Sequence, residues 1–131
     1  MIRGRFMSSN DDCQQIFALR RRVFGEELGY SEANIRDAHD DKAFYALVFD
    51  EAGNPAGTGR LTLIDDRFVI GKLCVLSDMR GQGLGDLVMR MLLVRVQEMG
   101  APSVWIRARA ESTDFYRRYG FLPTGDSEDV E

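Results

Sequence analysis

Cysteine, histidine, tryptophan and proline are all scarce in this chain: two, one, one and three among 131 residues. Two cysteines, Cys13 and Cys74, cannot build a disulfide framework, and a reducing cytoplasm is the expected setting. Cys74 sits in the apolar run Leu73-Cys74-Val75-Leu76 and is expected to pack as a small hydrophobe. One histidine, His39, without any Cys-x-x-Cys, offers no zinc-ligand pattern, so no metal is expected. No apolar run approaches the ~20 residues of a membrane span. The opening Met1-Ile2-Arg3-Gly4-Arg5-Phe6 lacks the apolar core of a secretory signal. Basic excess is also lacking, with 21 acidic against 17 basic residues and a net charge of −4. That balance argues against nucleic acid or a membrane surface as partner. What is present, 44% hydrophobic and 29% charged residues, describes one globular domain over residues 1–131, large enough to bury its own core.

Periodicity divides the chain into two grammars. Residues 1–6 read as a short first strand, and the polar Ser8-Ser9-Asn10-Asp11-Asp12 offers caps to a helix whose apolar positions, Ile16, Leu19 and Val23, run to about Phe24. Residues 25–42 are polar and irregular, with one short helix near 31–35. Such a long connection is a natural place for a binding site. Strands are expected at 44–49, 56–64 and 68–76, separated by the turn clusters 50–55 and 65–67, which makes a meander. After Leu76 the pattern alternates: a helix over 83–99 with Leu84, Leu87, Val88, Met91, Leu92 and Val96 on one stripe, a stop at Gly100, a strand at 103–107, and a short helix over 112–119 ended by Gly120. Strand, helix, strand in that order implies a parallel crossover. The fold class is therefore mixed α/β.

The segment richest in chemistry is Arg80-Gly81-Gln82-Gly83-Leu84-Gly85. Its glycines fall between an apolar strand and an amphipathic helix. Free amides and the positive end of the dipole meet there, and no side chain blocks a phosphate. Arg80 adds a full charge. A nucleotide P-loop needs Gly-Lys-Ser/Thr, and Gly85-Asp86-Leu87 is not that. A dinucleotide fingerprint needs Gly-x-Gly-x-x-Gly on the first strand of a parallel sheet, which is not the context here.

The loop resembles the signature Gln/Arg-x-x-Gly-x-Gly/Ala of the GNAT superfamily of acetyl-coenzyme A-dependent N-acetyltransferases. Downstream, Phe115-Tyr116-Arg117-Arg118-Tyr119-Gly120-Phe121 resembles that family's Phe-Tyr-x-x-x-Gly-Phe helix, and the resemblance covers roughly residues 12–122. It implies a mixed sheet with helices on both faces. It further implies acetyl-CoA as co-substrate and an amine acceptor. The pantetheine arm would pair with Leu73, Cys74 and Val75. The diphosphate would rest on the amides of Gly81, Gln82, Gly83, Leu84, Gly85 and Asp86 beside Arg80. An amide near Val75 would stabilise the oxyanion, and Tyr116 would protonate the departing thiolate. A thiol near pKa 8.5 and a phenol near 10 make that transfer feasible when positioned. Glu26 and Glu27 are the candidates for a general base. The stretch Val69-Ile70-Gly71-Lys72 has no carboxylate where many relatives carry one.

Other residues keep two readings. Arg20-Arg21-Arg22 either meets an acidic group of a ligand or forms a solvated helix face. Arg107 and Arg109 either line an acceptor groove or face water. Trp105 is expected in the core, and His39 exposed. Only ten residues follow Phe121, ending in an acidic tail from Asp126, too few for a final hairpin. The last strand is then missing, lost by truncation or supplied by a second copy, and a homodimer is one expectation. The alternatives to an N-acetyltransferase are a coenzyme A-binding module without turnover and an acyl-homoserine-lactone synthase, whose first helix shares Leu-Arg-x-x-Val-Phe with residues 19–24.

Overall fold

The computed structural model describes residues 3–124. Five strands lie in sequence order in one sheet: β1 Arg3–Ser8, β2 Phe44–Phe49, β3 Pro55–Ile64, β4 Arg67–Val75 and β5 Trp105–Ile106. The first four are antiparallel neighbours, and β5 runs parallel to β4. The helices are α1 Gln14–Arg20, α2 Glu32–Ile35, α3 Leu84–Glu98 and α4 Thr113–Arg117. The expected meander and crossover are thus both formed. Strand alternation divides the core in two. Tyr45 and Leu47 of β2 pack with Ile16 and Leu19 of α1, while Ala46 and Val48 pack on the other face with Val88 and Leu92 of α3.

On the α3 face the fit is tight at Gly59. A Cβ there would stand 2.7 Å from Val88 Cγ1 and 2.9 Å from Leu92 Cδ1, both on fully buried side chains. Gly59→Ala is therefore expected to lower stability by about 1–3 kcal/mol through overpacking. A urea titration checks this, the midpoint falling while the slope stays constant.

Four sequence expectations need correction. The first helix does not stop at Phe24. It continues as a π-helical stretch, Arg21–Glu27, in which the Leu28 amide bonds to the Val23 carbonyl. Its start is capped by Asp12, whose carboxylate accepts from the Gln14 amide, and Cys13 at the cap position makes no side-chain cap. Arg20 is not on a solvated face: it is fully buried and donates to Asp40 at 2.9 Å, while Arg21 and Arg22 are exposed. The strand expected at 103–107 shrinks to two residues, and Trp105 is only half-buried beneath the Arg67 guanidinium instead of in the core.

The last correction has a cause in β4. Thr58 pairs with Cys74 and Arg60 with Gly71, so β4 advances three residues where β3 advances two. The extra residue is a β-bulge, with Lys72 at φ 52°. A bulge bends its strand, and β5 follows β4 only as far as Ile70, where the Arg107 amide bonds to the Ile70 carbonyl at 3.1 Å. The acidic tail and the expected lack of a final hairpin fall largely on residues 125–131, outside the described residues, as do residues 1–2 of the first expected strand.

Candidate active site

The wedge between β4 and β5 is built by that divergence. The Leu76 amide donates to the Ala56 carbonyl of β3 at 2.9 Å. Successive peptide groups of a strand point to opposite edges, so the amide and carbonyl of Val75, and by the same alternation those of Leu73, point away from β3 into the wedge. The Val75 carbonyl confirms the direction by accepting from Arg80 Nε at 3.1 Å. Among the described residues no strand pairs with this edge of β4 beyond Ile70. Cys74, between them, turns its thiol to the α1 side and is buried, as the apolar run suggested. Burial pushes that thiol up to about 12.

The glycine loop closes the same end of the wedge. Gly81 at φ 82° and Gly83 at φ 80° are in the left-handed region, and nothing lies within 4 Å of where a Cβ would stand on either. Backbone conformation and not crowding demands glycine here. Gly83 caps α3, and the Leu87 amide makes the bond to its carbonyl. The amides of Leu84, Gly85 and Asp86 precede the first amide of that ladder and belong to the free first turn. Gly85 differs: a Cβ would sit 3.6 Å from the Phe115 ring, an ordinary contact. Leu84 is buried under the loop, while Gln82 is exposed.

Side chains around the loop are already engaged. Arg80 grips Glu27 with both terminal nitrogens at 2.7 Å, tying the end of the π-helical stretch to the loop. The Arg80 hydrogen bonds hold the Glu27 carboxyl below its usual range. Asp86 accepts from the Tyr119 hydroxyl and, at 2.8 Å, from Arg90, and its pKa is lowered by those two bonds in that order. Asp86, Arg90, Arg118 and Tyr119 also border a groove of about 480 Å³ between α3 and the last helical turn.

Tyr116 comes to the wedge from α4. It is 7% exposed, packs edge-on against Phe115 at 5.1 Å, and its hydroxyl has no hydrogen-bond partner among the described residues. Burial pushes the phenol up to about 12, with the charge of Arg109 pulling the other way. Of the residues named from sequence, Arg80 joins Glu27 to the Val75 carbonyl, Gly85 of the loop lies against Val75 and Phe115, and Tyr116 shares the α3-face core with Leu73 and Val75. Reasoning from sequence missed Lys72, whereas Arg109 was named with both of its readings open. A glycine followed by a lysine inside the apolar run 68–76 was the available sign of a bulge. His39 is exposed, as expected. Among the described residues no cluster of His, Cys, Asp or Glu is placed to hold a metal ion, and no helix is long and apolar enough to cross a membrane.

A five-stranded mixed sheet with a glycine turn at the splayed end of its fourth strand defines an acyltransferase-type fold. The chain belongs to the acetyltransferase (GNAT) domain family, which it matches over residues 11–131. It is 28% identical over 118 residues to the uncharacterized protein YyaT of Bacillus subtilis (strain 168), covering 88% of this chain and 79% of that one. The crystal structure of Escherichia coli ElaA has the same fold, with a TM-score of 0.86 at 23% identity over 100% of this chain and 94% of that chain. So has an acyl-CoA N-acyltransferase from Pseudomonas aeruginosa, with a TM-score of 0.83 at 23% identity, covering 96% and 92%.

Proposed function

We propose that this chain moves an acetyl group from acetyl-CoA to a primary amine by direct attack. The observation that carries the reading is the meeting of three features at one end of β4: a strand edge turned into the wedge, an amide-lined glycine turn, and a buried phenol. The residues fit such a substrate, because the space over Gly81 and Gly83 lets a diphosphate approach bare backbone. The amides of residues 81–86 would hold the diphosphate, and the Leu73 and Val75 peptide groups would pair with the pantetheine arm.

In the transfer, the amine nitrogen bonds to the acyl carbon and the carbon–sulfur bond breaks. The Val75 amide donates to the acyl oxygen as it gains charge. The amine releases a proton to water, and the thiolate takes one from Tyr116, which recovers it from solvent. Glu27 enters as the anchor of Arg80 and not as the base: a carboxylate already held by two hydrogen bonds from a guanidinium is a poorer proton acceptor than a free one. The two free, buried thiols suit a reducing, cytoplasmic setting. A homodimer along the sheet edge would register as twice the chain mass by light scattering.

The experiment is thiol release from acetyl-CoA with a panel of amines. Turnover with any of them supports the reading. Tight binding of acetyl-CoA without turnover would favour the module that binds and does not react. A binding prediction accompanies it. Gly83→Ala places a Cβ in the left-handed region at about 1–2 kcal/mol; the free loop escapes that strain by leaving the conformation and must regain it on binding, so acetyl-CoA should bind about five- to thirtyfold more weakly by calorimetry. Gly85→Ala, which meets only an ordinary contact, should bind as the native protein does.

A further inference from the structure

On the α1 face of the sheet three cations, Arg20, Arg60 and Lys72, meet two carboxylates, Asp37 and Asp40. Both carboxylates are fully engaged. Asp40 accepts from Arg20, from the Tyr45 hydroxyl at 2.8 Å and from the Asp37 amide, and Asp37 accepts from both terminal nitrogens of Arg60 and from the His39 amide. Lys72 receives neither: its ammonium donates to the Asn34 carbonyl of α2. One positive charge is left over, on a half-buried side chain, in a protein whose net charge is −4.

Its place matters. Ile70 and Leu73 pack on the α3 face, so the bulge turns both Gly71 and Lys72 to the α1 face, at the fork where β5 leaves β4. Arg107 stands at the same fork. A Cβ on Gly71 would lie 4.0 Å from Arg107 Cβ, so this exposed arginine, one residue past β5, starts beside the residue that precedes Lys72. Arg109 lies two residues further, and its charge acts on Tyr116, Cys74 and Glu27. Nearby, Glu27 is taken by Arg80. A lysine held at positive φ in a strand is a strained feature of the kind that gathers at functional sites.

We propose that the acceptor amine belongs to a molecule that also carries an anionic group, a carboxylate or a phosphate, and that Lys72 and Arg107 hold that group at the fork. This rests on the reading of the wedge as the acetyl-transfer site. Burial and the neighbouring Arg60 push the Lys72 ammonium below its usual range, and an anion beside it acts in the opposite sense.

Matched acceptors test it: β-alanine against its amide, and O-phosphoethanolamine against ethanolamine, read by thiol release. The acids are expected to exceed their neutral partners in kcat/KM by about tenfold or more, the effect of a charge-assisted hydrogen bond. The member of the two pairs that shows the preference tells carboxylate from phosphate. Lys72→Gln and, for a position outside the buried network, Arg107→Gln should each raise KM for the acid by about tenfold while kcat moves little. Equal or better use of the neutral partners, or an unchanged preference in both variants, overturns the proposal. Should no acceptor release thiol, the transfer reading fails separately, and the anion site is judged by amide chemical shifts of Gly71, Lys72 and Arg107 on titration with inorganic phosphate and with succinate. Shifts that vanish in Arg107→Gln support it, and their absence in the native protein overturns it.

Discussion

Tyr116→Phe is expected to lower kcat by about 10²-fold or more, with KM for acetyl-CoA within about twofold of the native value, because a positioned proton donor contributes on that scale. The substitution removes one oxygen and leaves the ring that packs on Phe115. The objection is that a phenol raised to about 12 is a poor acid toward a thiolate whose ordinary thiol pKa is about 8.5. The site answers it. Burial disfavours a charged sulfur, as it does at the buried Cys74 thiol, so a thiolate leaving into a desolvated site is a stronger base than in water. Desolvation thus raises the basicity of the acceptor in the same sense as it raises the pKa of the donor. The same value sets the pH profile. The donor acts while protonated, so activity should be lost only as pH rises toward about 12, and rate measurements from pH 7 to 10 should show no fall from this group. A Tyr116→Phe enzyme turning over at the native rate would remove the residue from the mechanism.

Asp40→Ala is expected to cost about 3–5 kcal/mol, the penalty of breaking a buried ion pair and leaving a charge uncompensated. Asp40 lies between Arg20, which is fully buried, and Arg60, 3.3 Å from its carboxylate. Three of their guanidinium nitrogens, Arg20 Nε and Nη2 and Arg60 Nε, already lack hydrogen-bond partners among the described residues. Removing the carboxylate leaves the buried Arg20 charge without a carboxylate, while Arg60 keeps Asp37 and the Tyr45 hydroxyl keeps only the residue-40 carbonyl at 3.3 Å. Against a typical total of about 5–15 kcal/mol, the variant should be close to unfolding at 37 °C, which a urea melt at lower temperature reads directly. Asp40→Asn, which keeps an acceptor for Tyr45, should lie between.

The acid dependence of the native protein has the same origin. Burial alone would raise the Asp40 carboxyl, but the Arg20 charge, the Asp37 amide and Arg60 outweigh it and hold the group at about 2, and Asp37 is lowered in the same sense by Arg60. A carboxyl whose folded pKa lies below its unfolded value of about 3.9 stabilises fully above that value and loses its contribution as pH falls through the folded one. The urea midpoint should therefore drop between about pH 4 and pH 2, and the drop should be shallower in Asp40→Ala.

What the sequence made legible was local. The strand at 44–49, the turn at 50–55 and the stripe on α3 follow from side-chain period, and the loop at 80–85 follows from glycines placed between strand and helix. What it hid was register and distant pairing. Neither reading of Arg20, ligand contact or solvated face, was a buried ion pair, because its partner, Asp40, stands twenty residues on, across an irregular segment with no periodic signal. The bulge at Lys72 depends on how β4 aligns with β3, a property of two strands and not of either alone. The shortening of β5 follows from that bulge, so an expectation drawn from residues 103–107 by themselves ran too long. The π-helical stretch to Glu27 was equally silent, since its residues are ordinary helix formers with one glycine.

Amide chemical-shift mapping during a titration with acetyl-CoA addresses the whole assignment at once. The largest changes should fall on residues 81–86 and on Leu73 and Val75, and should saturate together. Saturable binding that leaves those amides unmoved, or no binding at all, would contradict the account.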